Sequence, residues 1–283
     1  KCILLKQPDR VPVFAISDQF DIFNLGITQR EWERNFDKMV FVAVESVKKF
    51  DYDWVLLHPD DYIELETIVE TVQKEDTSIP VIAKKYIPAT REYLDKFKIP
   101  DFKKELRMPV YLDAIREVKN KLGDNVCVTG RLAAPFSTAA LVFGITETML
   151  MIINDRDFLK ESLLFFTELQ TRWAIEQIKA GVDAIWVGDC VASSNFISPV
   201  TFEEFALPGL KEIASTIKQN GCIAYYHAAE KTPGHLNMMP QAGVDIVNIG
   251  EGIDIEEAKA LIGNEVCISG NLAPIKILAN GTK

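Results

Sequence analysis

The sequence predicts a parallel α/β fold of the (β/α)8 TIM barrel class, and three observations carry that prediction. Short apolar, β-rich runs recur along the 283 residues. Amphipathic helical stretches separate them, which is the pattern of parallel strands joined by crossover helices. Almost every run gives way to a polar residue at its C-terminal end, where a barrel builds its site. No low-complexity tract or Ser/Gly linker divides the halves, so one domain over 1–283 is expected.

Taken in order, the first predicted strand is VPVFAIS (11–17), followed by a helix over 30–50 and a second strand, WVLLHPD (54–60). The stretch 62–110 breaks the alternation and reads as an insertion on the barrel rim, with SIPVIAKKY as a hairpin strand. A helix over 111–122 leads to VCVTGRL (126–132), and a long helix over 155–180 to DAIWVGD (183–189). The helix over 202–220 precedes CIAYYHA (222–228). VDIVNIGE (244–251), a helix over 254–262 and VCISGNLA (266–273) complete seven predicted strands.

Composition narrows the function. With 48% hydrophobic and 25% charged residues the chain has the make-up of a globular protein with a sizeable core. A net charge of −10 and a pI near 5.0 argue against nucleic acid or an anionic membrane, because phosphate binding needs clustered Lys and Arg. A small-molecule substrate or a protein partner is expected instead. The five cysteines are odd in number and scattered, as in a reducing compartment. No apolar run approaches the roughly 20 residues of a membrane span and no signal peptide opens the chain, so a cytoplasmic protein is expected.

The strand ends supply the candidate site: Ser17-Asp18, Asp60-Asp61, Arg131, Asp189, His227, Glu251 and Asn271. Carboxylates crowded at one barrel mouth raise each other's pKa values or call for a cation. His58 precedes Pro59 at a strand end and Cys190 follows Asp189, so both are expected to line the pocket. Cys127, Cys222 and Cys267, together with the aromatics over 164–173, read as core.

The stretches GRLAAPF (130–136), GVDAIWVGDCVASSNFISPVTFEEFALPGLKEI (181–213), YYHAAEKT (225–232), QAGVDIVNIGEGIDIEEAKALIG (241–263) and ISGNLAPIKILANGT (268–282) resemble the uroporphyrinogen decarboxylase-like superfamily. That superfamily also holds zinc-dependent methyltransferases of corrinoid pathways. The resemblance implies a (β/α)8 barrel whose eighth strand-helix unit would follow the GNLAPIKILANGT segment and is expected to be missing from this chain.

Departures from the family pattern choose the branch. Decarboxylases resembling this chain carry arginines after the first strand to hold substrate carboxylates, whereas AISDQFDIF (15–23) offers acids. The methyltransferase branch carries His-x-Cys, and here His227 is followed by Ala229. The resemblance therefore implies His227 as a zinc ligand, with Glu230 as an acidic partner in place of sulfur and Asp189, Cys190 and Glu251 across the mouth. The spacing Asp189-x14-Glu204-x22-His227 is close to that of glutamate-and-histidine zinc sites in a related branch. The expected function is methyl transfer between a small methylated substrate, such as a methyl ether or thiol, and a corrinoid protein carrying cobalamin. Asp60, Asp189 and Glu251 would be catalytic; Ser17, His58, Asp61, Arg131, Cys190 and Asn271 would bind substrate. A lyase acting on another carboxylated substrate and a non-catalytic binder are the rival expectations.

Overall fold

A computed structural model describes residues 1–281, the side chains of Asp18 and Leu278 excepted. The described strands are β1 (Trp54–Leu56), β2 (Thr71–Val72), β3 (Val81–Ile82), β4 (Cys127–Ala133), β5 (Ala184–Gly188), β6 (Ile223–Glu230), β7 (Ile246–Ile249) and β8 (Cys267–Ser269). Six of them form one parallel sheet in the order β1-β4-β5-β6-β7-β8, curled into part of a barrel, while β2 and β3 pair as a separate antiparallel hairpin. Six of the seven predicted strands are thus present.

The exception is 11–17, which is extended but joins no sheet. Pro12 lacks a donor, and the Val13 amide binds the Asp53 carboxylate at 2.6 Å instead of a neighbouring strand. The Asp53 amide in turn donates to the Val13 carbonyl at 3.0 Å, so the segment lies beside the residue before β1 without forming a ladder.

Alternation sorts side chains to the two faces of the sheet. Val55, Val128, Ile185, Val187, Ala224, Tyr226 and Val247 face the outer helices and share the main core with them. Trp54, Trp186, Tyr225 and Ile246 face inward, where Ile3 and Phe14 of the N-terminal segment pack against them.

The helices are set by local signals. Asn35 caps Phe36–Phe50 through the Lys38 amide, which splits the predicted 30–50 helix at residues 33–35. Asp155 caps Arg156–Ala180, which ends at Gly181 with a left-handed φ of 108°. Asp254 caps Ile255–Ile262. Among the described residues no single helix is long and apolar enough to cross a membrane.

Candidate functional site

The end of β1 builds the centre of the site. Residues 58–61 read His-Pro-Asp-Asp, and the chain turns after Pro59 so that Asp61 comes back over His58: His58 Nε2 lies 3.2 Å from Asp61 Oδ1. Arg131, on the inner face of β4, donates from Nη2 to the same oxygen at 2.9 Å. Its Nη1 donates to Glu64 Oε2 at 2.9 Å and Oε1 at 3.2 Å. Burial alone would raise the Asp61 pKa, but the His58 hydrogen bond and the Arg131 and His227 charges outweigh it and hold the carboxyl below the ordinary carboxylate range.

His227 enters from β6, directly across the ladder from Gly188 of β5. Its ring rests on Trp186 with centroids 4.8 Å apart, and His58 rests on the same indole at 5.4 Å. Gly188 is required here, because a Cβ at that position would lie 2.5 Å from the Trp186 ring. The two histidines therefore share one aromatic floor, with Asp61 and Arg131 beside His58.

Several predicted residues lie elsewhere. Asp60 is 2% exposed and faces Arg107 at 2.7 Å, within a buried cluster that includes Glu33 and Glu66. Its carboxylate is taken up by that arginine and by the Tyr62 amide at 2.7 Å, while Asp61 takes the place at the mouth expected of Asp60. Asp189 is fully buried and turned away from the histidines; it accepts from the Ser137 hydroxyl at 2.7 Å and the Tyr226 hydroxyl at 3.0 Å. Burial pushes its pKa up to about 6 against the pull of those donors.

Glu230 is fully buried and accepts from the Ser194 amide and hydroxyl, the Lys231 and Thr232 amides and the Thr232 hydroxyl, at 2.6–3.0 Å. A register shift between His227 and Glu230, with Ala229 at a left-handed φ of 51°, takes it off the line of His227. These donors outweigh burial and lower its pKa.

The remaining positions are outside this cluster or on its margin. Ser17 donates to Asp21 at the start of the Asp18–Asn24 helix, and the side chain of Asp18 lies outside the described residues. Cys190 opens to solvent; surrounding protein, then Asp189 and Asp61, push its thiol up to about 11. Glu251 is exposed in the turn after β7. Asn271 pins that turn by donating to the Gly250 and Ile253 carbonyls at 3.1 and 2.5 Å. Glu204 pairs with Arg156 and Lys160, away from His227.

The implied zinc does not fit the donors described. Glu230 is saturated, Ala229 offers no ligand atom, and no group of three His, Cys, Asp or Glu side chains converges among the described residues.

Sequence reasoning missed Trp186, Glu64 and the two glutamines that brace Arg131. Gln177 exchanges two hydrogen bonds of 2.9 Å with the Arg131 backbone, and Gln170 holds Glu64 at 3.0 Å. Their seven-residue spacing puts both on one face of the Arg156–Ala180 helix, the one signal that could have flagged polar residues aimed at a strand.

A family model described as uroporphyrinogen decarboxylase (URO-D) matches residues 2–283. Chloroplastic uroporphyrinogen decarboxylase 2 of Arabidopsis thaliana is 26% identical over 254 residues, 87% of this chain but 62% of the relative. The chain thus spans less than two thirds of that relative's length. The methylcobamide:CoM methyltransferase MtbA of Methanosarcina acetivorans is 25% identical over 283 residues, 99% of this chain and 83% of the relative. Among solved structures, a methyltransferase from Methanosarcina mazei shares the fold with a TM-score of 0.83 and 23% identity, covering 96% of this chain and 80% of its own.

Proposed function

Because the chain belongs to the uroporphyrinogen decarboxylase family, we propose that it is an enzyme moving a methyl group between a small methylated substrate and a corrinoid protein. One observation supports this branch over decarboxylation. Arg131 and Arg107, the arginines beside the strand ends, are both committed to carboxylates of the chain itself: Glu64 and Asp61 for one, Asp60 and Glu66 for the other. A substrate carrying many carboxylates would have to break those pairs, leaving buried charges uncompensated at a cost of about 3–5 kcal/mol each.

In this reading His58 is the proton carrier and Asp61 fixes its orientation and stabilises its protonated form. When a methyl ether or thioether is demethylated, the bond from carbon to oxygen or sulfur breaks and its electron pair stays on the departing atom. That atom takes the proton from His58, while the methyl group passes to the corrinoid partner. In the opposite direction the accepting thiol loses its proton to His58. His227 binds a polar atom of the substrate across the same floor, which Trp186 forms beneath both rings.

The test is incubation of the purified chain with free cob(I)alamin and a panel of aryl methyl ethers and methyl thioethers, followed by the cob(I)alamin absorbance. Substrate-dependent loss of that absorbance, with no coproporphyrinogen formed from uroporphyrinogen in a parallel assay, is the expected result. Decarboxylation of uroporphyrinogen without methyl transfer would overturn the proposal.

A further inference from the structure

We propose that Glu64 is a positioning residue that keeps Asp61 on His58 by holding the far side of the Arg131 guanidinium. The proposal rests on the methyl-transfer reading of the mouth. Asp61 Oδ1 is contacted from two sides, by Arg131 Nη2 at 2.9 Å and by His58 Nε2 at 3.2 Å. One oxygen therefore serves a histidine and an arginine, and how far it is drawn to the arginine depends on what else the guanidinium holds.

Glu64 is what it holds. The carboxylate is fully buried and takes Arg131 Nη1 on both oxygens. Gln170 donates to its Oε1 at 3.0 Å and to Thr138 at 3.1 Å, which ties Glu64 to two helices. Gln177 fixes the Arg131 backbone from the next turns of the same long helix. Gly130 makes that clamp possible, since a Cβ there would stand 2.2 Å from Gln177 Oε1. Arg131 is 1% exposed, so an uncompensated guanidinium has no water to turn to. Without the Glu64 charge its fork closes on Asp61 with both nitrogens, the favoured arginine-carboxylate geometry, and draws Asp61 off His58.

The test compares wild type, Glu64→Gln and the charge-free pair Glu64→Gln with Arg131→Met by crystallography and by methyl-transfer kinetics with free cob(I)alamin. In Glu64→Gln the Asp61–His58 separation is expected to open beyond hydrogen-bond distance. Its kcat should fall about tenfold or more with KM within about twofold, as for loss of a positioned proton carrier. Removing Arg131 as well should return Asp61 to His58 and restore most of kcat, a coupling that a purely structural role for Glu64 does not produce. Should Glu64→Gln not fold, Glu64→Met takes its place, with the same geometric change and kcat loss expected. An Asp61–His58 contact unchanged in the single variant, or a double variant no better than the single, overturns the inference. A wild type that transfers no methyl group overturns the proposed function instead, and the Asp61 geometry still decides the role of Glu64.

Discussion

Two strand ends in this molecule carry the same spacing and do opposite things with it. His58-Pro59-Asp60-Asp61 follows β1 and His227-Ala228-Ala229-Glu230 closes β6; each sets an acid three residues after a histidine, and both histidines rest on Trp186. After β1 the acid returns to its histidine at 3.2 Å and its side chain stays 44% exposed. After β6 the left-handed Ala229 and the bulge turn the acid into the protein, where Ser194 and Thr232 saturate it. The spacing is the same; the backbone conformation of the intervening residues separates a solvent-facing His-Asp contact from a structural anchor.

The comparison predicts opposite consequences for matched variants. The largest effect is expected at the first strand end: His58→Ala should lower methyl transfer by about 10²- to 10⁴-fold while the thermal midpoint stays close to wild type. A loss of activity that tracks loss of fold would erase the distinction. At the second end, Glu230→Ala should cost about 3 kcal/mol of stability in denaturant titration, because it strands the Ser194, Lys231 and Thr232 donors. Glu230 has a lowered folded-state pKa, so its contribution is present above the unfolded value and is lost as pH falls through the folded one. The wild type should therefore weaken below about pH 4 more steeply than Glu230→Gln does.

Asp189, at the end of neighbouring β5, titrates with the opposite sign. Its folded-state pKa of about 6 lies above the unfolded carboxylate value, so its contribution is fully present below about pH 4 and is lost as pH rises through about 6. Asp189→Asn should flatten the stability profile over that window, a difference of up to about 3 kcal/mol, and leave the protein at neutral pH as stable as wild type or more so. An unchanged slope would show that Asp189 is not the group responsible. The smallest effect belongs to Ala229→Gly, which relieves the left-handed backbone and should raise stability by about 1 kcal/mol or less.

The sequence by itself determined the parallel α/β class and six strands, because apolar runs and helical periodicity are local and burial enforces them, although β1 and β8 stop four residues short of the predicted ends. It also placed His58, Arg131 and His227 at strand ends, since alternation along a strand fixes which residues face inward. Its one lost strand, 11–17, had the right composition but forms no ladder among the described residues, because the Asp53 side chain takes the Val13 amide, and pairing is a non-local property. Only the tertiary structure decided that Asp61 and not Asp60 meets His58, because Arg107, brought from 47 residues further along the chain, claims Asp60. Only it decided that Asp189 turns inward, since its donors come from Ser137 and Tyr226 on other segments, and that Glu230 does, since Ser194 from another segment joins the local Lys231 and Thr232 donors. A carboxylate at a strand end goes where buried donors or cations offset its desolvation, and which donors are near is set by how distant segments pack.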